Sequence, residues 1–323
     1  MNDRSASPYD SSIPTADLEK IAGGWFLDGE IRQLSERTLN ARRDLVRKLV
    51  WFLRQRNCEN CGLDELRAFL TYVSRGDGSG DRWGRPSGRE KTSARTVQSY
   101  HTNLKTLFRF LVAGGVLAES PMEMIKAPVA RRNQVDPFTP QQLEALLNAA
   151  LQSRYAKRNV AIALFLLDTG CRASEACAVT AADIDLPGRR CRIMGKGGKV
   201  RTVVFGAETA EALARYLVIV PRERNEALFL SERGLRMTRS RLLQFCERLG
   251  RAAHVKDCHP HRFRHTFAVM FLRAGGHAFA LQTLLGHTTM TMTQRYVALA
   301  EADLDTAARH FSPADSLRRL KGT

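Results

Sequence analysis

The chain has 323 residues, 44% of them hydrophobic, with 50 Lys and Arg against 33 Asp and Glu, giving a formal charge of +17 and a pI near 10.1. That apolar share excludes a disordered or fibrous chain and leaves a folded, basic protein whose expected partner is a polyanion, unless the basic surface is merely passive. The length favours two domains with separate cores, no run of 18 apolar residues occurs, and the polar start from Met1 to Ser12 has no secretory or transit pattern, so an intracellular protein without a membrane partner is expected.

The first periodic segment begins at Leu39. Leu45, Val46, Leu49, Val50, Phe52 and Leu53 recur at helical spacing, and Arg42, Arg43, Arg47, Lys48, Arg54 and Arg56 fill the remaining positions. A lone CxxC follows, Cys58-Glu59-Asn60-Cys61, with no second pair at zinc spacing. Cys258 and His259 do not complete a four-ligand set either, so the seven cysteines read as reduced thiols and no metal site is expected. Residues 74–93, rich in Gly, Arg, Ser and Asp, read as an exposed, mobile loop.

A second helix is expected from Ala94, with Val97, Tyr100, Leu104, Leu107, Phe108 and Leu111 inward and Arg95, Lys105 and Arg109 outward, ending at Gly114-Gly115. Charged helix faces are usually just solvated. The shared sign of these two faces, with few carboxylates between the cations, makes Arg42, Arg43, Arg47, Lys48, Arg95, Lys105 and Arg109 candidate phosphate contacts. Residues 127–137 form an irregular stretch before Thr139-Pro140, an N-cap with proline at the first helical position. The expected organisation is a helical N-terminal domain over 1–126, a linker over 127–137 and a second domain over 138–323.

In the second domain, residues 143–150 and 160–167 read as helices, the latter almost wholly apolar. It delivers Arg172 at a glycine turn, where an unpaired guanidinium is costly, so a partner is required: Glu175 or an external phosphate. Two strands, 191–194 and 200–205, flank Gly195-Lys196-Gly197-Gly198-Lys199, a hairpin turn presenting lysines and lacking the GxxxxGK[ST] spacing of nucleotide hydrolases. Further helices are expected over 208–218, 240–253, 264–273, 279–285 and 291–299. The overall expectation is a mainly α fold with a small β-hairpin or sheet.

Within this domain His261-Arg262-Phe263-Arg264-His265, Leu285-Gly286-His287 and Tyr296 gather the groups that phosphoryl transfer uses. A guanidinium matches two phosphate oxygens, an imidazole moves a proton near neutral pH, and a tyrosine oxygen attacks phosphorus and leaves again. Taken alone, Tyr296 reads equally well as a buried aromatic with a bonded hydroxyl.

Together, Thr169-Gly170-Cys171-Arg172-Ala173-Ser174-Glu175, the lysine hairpin, His261 with Arg264 three residues on, Leu285-Gly286-His287, and Tyr296 nine residues after His287 resemble the tyrosine recombinase family of integrases and resolvases. Cys171 and Ala176 stand where that family often has leucine. The resemblance spans residues 169–296 and implies a helical core-binding domain followed by a mixed α/β catalytic domain. It implies Tyr296 as the nucleophile of a 3′-phosphotyrosine, with Arg172 and Arg264 on the non-bridging oxygens of the scissile phosphate. It further implies Lys196 as proton donor to the 5′ oxygen, His261 as acceptor of the tyrosine proton, His287 as a hydrogen-bond partner of the phosphate and Glu175 as an orienter. From the residues alone Lys199, on the same hairpin tip, is a candidate DNA phosphate clamp or merely solvated. No metal or cofactor is implied. The implied partners are double-stranded DNA with inverted-repeat core sites, a tetramer of the chain on that DNA, and accessory DNA-bending proteins as optional helpers, in a cytoplasmic, nucleoid-associated setting. Topoisomerase-like relaxation and a decayed DNA-binding module remain alternatives. After Tyr296, the apolar stripe Leu304, Ala307, Ala308 and Phe311 before Pro313 predicts a short helix docking on a neighbour or folding back.

Overall fold

The structure, a computed structural model, describes residues 11–76, 81–83, 85–86, 91–129, 136–195, 198–220, 226–287 and 289–300. Lys196 and the apolar stripe after residue 300 lie outside the described residues. The chain divides into two compact units, Met1–Asn133 and Gln134–Thr323.

In the first unit, strand β1 (Ile13–Pro14) leads into helices α1 (Leu18–Ile31) and α2 (Glu36–Gln55). Strand β2 (Asn60–Cys61), antiparallel to β1, precedes α3 (Leu63–Arg75), and a small hairpin of β3 (Asp81–Arg82) and β4 (Arg85–Pro86) precedes α4 (Ala94–Ala113). Ser35 and Ser93 cap α2 and α4 by accepting from the backbone amides of Thr38 and Thr96, which fixes where the periodic segments start. Trp25, Leu49, Phe52, Phe69, Leu104 and Phe108 fill the core between the helices. The sequence reading missed α1, whose Gly23-Gly24 breaks the apolar rhythm, and α3.

Two expectations for this unit are corrected. Residues 74–93 are not simply a loop: Trp83 sits between β3 and β4, its ring packs edge-on against Trp51 and Tyr72, and its backbone amide donates to the Tyr72 hydroxyl at 3.1 Å. The cationic helix faces are also not short of carboxylates. Arg43 pairs with Glu30, Arg47 and Lys48 both pair with Asp44, and Lys105 and Arg109 both reach Glu123. Among the described residues Arg95 makes no ion pair, and it is exposed.

Arg42, expected to face a phosphate, instead packs inside the unit. It is 7% exposed, donates to the Trp25 carbonyl at 2.8 Å and lies 4.2 Å over the Trp25 ring. Truncation leaves a buried carbonyl without its donor and strips a ring of its cation, so Arg42→Ala should lower unfolding free energy by about 2–4 kcal/mol. Chemical denaturation checks this. An unchanged midpoint accompanied by weaker DNA binding would return Arg42 to the surface role.

The second unit starts with α5 (Pro140–Leu151), capped reciprocally by Thr139 and Gln142, and α6 (Ala156–Thr169). The short α7 (Ala173–Ala178) precedes an antiparallel sheet ordered β5 (Ile184–Asp185), β6 (Arg190–Met194), β7 (Val200–Val204). Helices α8 (Ala207–Ile219), α9 (Arg239–Ala252), α10 (Pro260–Arg273), α11 (Ala278–Leu285) and α12 (Thr291–Ala300) follow. The mainly helical architecture with a small sheet is the one expected, although the sheet has a third strand. Helix α10 begins four residues earlier than read from the sequence. His259 caps it through Nδ1, accepting from the Arg262 amide at 3.1 Å, and Pro260 takes the first helical position, where no amide is missed.

Among the described residues no helix is long and apolar enough to cross a membrane, every cysteine is free, and no group of His, Cys, Asp or Glu is arranged to hold a metal ion.

Candidate active site

Helix α6 stops because Gly170 turns left-handed at φ 54° and ψ 20°, a conformation glycine adopts without penalty. A Cβ there would come within 2.4 Å of the Phe267 ring, so the close approach also requires glycine. The turn places Arg172 at the N-cap of α7. There its backbone amide donates to Glu175 Oε2 at 2.7 Å and its Nη1 donates to Glu175 Oε1 at 2.9 Å. Both partners anticipated for Arg172 remain relevant, since 37% of its side chain is exposed and its remaining donors are free for an anion.

The second arginine arrives on the opening turns of α10. Arg264 is 3% exposed; Nη1 donates to Gly170 O at 2.8 Å, and Nη2 donates to Leu285 O at 2.8 Å and to His287 Nε2 at 2.9 Å. Burial, with Arg172 nearby, brings its pKa down to about 10, still leaving it charged at neutral pH. Its neighbour Arg262 points elsewhere: it is bonded to Asp136 O, Lys256 O and Gln142 Oε1 and stacks on Phe138, which makes it a structural tie.

The third component is the end of α11. Gly286, left-handed at φ 62°, lets the chain turn sharply while Leu285 O and Gly286 O accept from Arg172 at 3.4 and 3.2 Å. His287 follows, its Nδ1 2.9 Å from Thr293 Oγ1 on α12. Arginine can only donate, so Nε2 must accept from Arg264 and the imidazole proton sits on Nδ1, bonded to Thr293. Burial, then Arg264 and Arg172, push the His287 pKa down to about 4. Between its ordinary value of 6.5 and that value the unfolded chain binds the extra proton, so the stability tied to this imidazole is complete above 6.5 and lost as pH falls toward 4. Imidazole NMR should find His287 neutral down to pH ~5, with a rise in its pKa in Arg264→Ala. A wild-type midpoint at the ordinary value would contradict the geometry.

Tyr296 on α12 completes the group. It is 7% exposed, its ring lies nearly parallel to His287 with centroids 6.1 Å apart, and it packs against His265 at 5.2 Å. His261 is exposed on the first turn of α10, one turn before Arg264 and His265; the protein packed around its ring, and then Arg264, lower its pKa.

Of the residues expected from sequence, the structure thus brings together Arg172, Glu175, Arg264, His287 and Tyr296, with His261 adjoining. Lys199 is exposed, and its carbonyl accepts from the Gly195 amide at 2.8 Å. Sequence reading missed two members. His265, four residues after His261 in the same motif, packs on the Tyr296 ring. Arg201 on β7 is 11% exposed in its side chain, and it spans both Glu175 oxygens, Nη1 to Oε1 at 3.0 Å and Nη2 to Oε2 at 2.7 Å. The signal was there, because Arg201 shares strand parity with the buried Val203. Glu175 is itself 4% exposed; burial raises its pKa, but the bonds from Arg201 and Arg172 outweigh this and hold it below the usual carboxylate value.

Two guanidiniums, a neutral imidazole and a phenol around one turn form an electropositive cradle for a tetrahedral anion with an oxygen nucleophile at its side. The profile of the phage integrase family matches residues 137–303. The chain is 35% identical over 237 residues to tyrosine recombinase XerC of Roseiflexus castenholzii, covering 69% of this chain and 74% of that one. It is 32% identical over 278 residues to a tyrosine recombinase of Thermosipho africanus, covering 84% and 92%. Similar solved structures include the Tn1549 transposon integrase in complex with transposon right end DNA, with a TM-score of 0.69 at 20% identity over 92% of this chain and 100% of that one. A lambda integrase dimer bound to a COC′ core site gives 0.67 at 17% identity over 88% and 77%. With a family profile over half its length and relatives above 30% identity matched across most of theirs, the chain belongs to the phage integrase family of tyrosine recombinases, the enzymes that transfer DNA strands.

Proposed function

We propose that this chain is a site-specific recombinase that cuts one DNA strand through a 3′-phosphotyrosine at Tyr296 and rejoins it to another. The observation that carries the reading is the convergence of Arg172, Arg264 and His287 on the turn at the end of α11, with the Tyr296 ring packed against His287. A scissile phosphate seated there takes donors from both arginines on its non-bridging oxygens, where negative charge grows as a fifth oxygen approaches. An oxygen bound to Arg264 also replaces His287 Nε2 as that arginine's acceptor. His287 is then free to carry its proton on Nε2 and donate to the same phosphate.

The Tyr296 hydroxyl gives its proton to His261 and attacks phosphorus. The 5′ oxygen leaves with a proton from Lys196. The ester stores the linkage, so a 5′ hydroxyl from a second strand reverses the step without ATP. The arginines and the lysine supply the positive charge that a divalent ion supplies in other phosphoryl transfers. Exchange between two DNAs calls for four protomers on paired inverted-repeat sites, with accessory bending proteins where the DNA must be looped. The N-terminal unit serves as the core-binding domain. Arg95 there and Lys199 on the hairpin meet phosphates directly. Arg43, Arg47, Lys48, Lys105 and Arg109 do so by exchanging a carboxylate for a phosphate.

A nicked duplex carrying the target site, from which the cleaved end diffuses away, tests this. The expected product is an SDS-resistant adduct formed in EDTA, with the DNA-bearing peptide containing Tyr296. An adduct on another residue, or one that requires a divalent ion, would overturn the reading.

A further inference from the structure

The last turn of α11 offers three successive carbonyls, and each meets a guanidinium. Leu284 O accepts from Arg201 Nε at 2.7 Å, Leu285 O from Arg264 at 2.8 Å, and Gly286 O from Arg172 at 3.2 Å. The carbonyls at a helix C-terminus have no partner in their own helix and carry the negative end of its dipole, so the turn is a natural seat for cations. Arg172 and Arg264 have a phosphate to meet in the proposed reaction. Arg201 does not: it is nearly buried, its Nε is bonded to Leu284 O, and both its Nη atoms are bonded to Glu175. The Gly286 backbone rests against it, since a Cβ on that residue would stand 3.1 Å from Nη1.

The competition for Glu175 is what gives this arrangement a consequence. A carboxylate and one guanidinium tend to close into a two-armed pair. Here Arg201 occupies both Glu175 oxygens, and the Arg172 side chain keeps one bond to the carboxylate, from Nη1 to Oε1 at 2.9 Å. Without Arg201, Glu175 is free to draw Arg172 into a two-armed pair and away from the place where an anion would sit. The strand that carries Arg201 also loses its tie to the α11 turn.

We propose that Arg201 is a positioning residue that holds both Glu175 oxygens and thereby leaves Arg172 free to bind the scissile phosphate. The inference rests on the reading above, in which Arg172 contacts the non-bridging oxygens.

The test compares Arg201→Lys with wild type in single-turnover cleavage of two duplexes, one ordinary and one with a neutral methylphosphonate at the scissile position. Lysine keeps the charge but is a point donor that cannot span both Glu175 oxygens and Leu284 O at once. On ordinary DNA the variant should cleave roughly tenfold slower or worse, with DNA affinity unchanged within about twofold. On the neutral duplex it should match wild type, because a phosphate without the extra negative charge gains little from a well-placed Arg172. The ratio of the two rates on one preparation cancels any loss of folded protein, and Arg201→Met, scored by the same ratio, replaces the lysine variant if that one fails to fold. A variant as fast as wild type on ordinary DNA, or slowed equally on both duplexes, overturns the proposal. Arg172→Ala separates this from failure of the underlying reading: if the neutral duplex does not relieve Arg172→Ala either, the assignment of Arg172 to the phosphate is at fault.

Discussion

Tyr296→Phe is expected to bind target DNA as wild type does and to form no covalent adduct, a loss of ~10⁴-fold or more in cleavage. The reason lies in what the substitution leaves in place. The Tyr296 ring is 7% exposed and is held by its faces against His287 and His265, so phenylalanine keeps the packing and removes only the attacking oxygen. Stability should change by less than about 1 kcal/mol, which separates a missing nucleophile from a damaged fold. Gel shift, SDS gel and thermal melting on the same preparation decide it. An SDS-resistant adduct from Tyr296→Phe would remove Tyr296 from the reaction.

The second large effect belongs to the two arginines, and the structure predicts that they fail differently. Arg172→Ala and Arg264→Ala should each slow cleavage by ~100-fold or more with little change in affinity, as for donors aimed at charge that develops in the transition state. Arg172 is partly exposed, so its removal should be tolerated by the fold. Arg264→Ala leaves Gly170 O and His287 Nε2 without their donor inside the protein, and Leu285 O with only the longer bond from Arg172, and should also cost about 2–4 kcal/mol of stability. Arg264→Lys, which keeps a charge without the planar fork, should recover part of the stability and little of the rate. Equal stability of the two alanine variants would contradict the burial described for Arg264, and a strong loss of DNA affinity in either would move it from catalysis to binding.

What the sequence determined by itself is what depends on near neighbours along the chain. Apolar periodicity placed the helices that became α2, α4 and α5, because a helix face is set by residues three and four apart. The spacing of Arg172 to Glu175, of His261 to Arg264 and of His287 to Tyr296 carried the family resemblance, and each is a short interval within one turn or one helix pair. Tertiary structure decided the rest. Arg42 and Arg95 look alike in sequence, yet one lies over Trp25 and the other faces solvent, since only the packing of α1 on α2 determines which cation is covered. Arg201 reads as an ordinary strand residue until the fold brings it to Glu175, 26 positions away, and to Leu284, 83 positions away. The carbonyls that seat three arginines exist only because a left-handed glycine ends α11, and nothing local to any of those arginines encodes that turn.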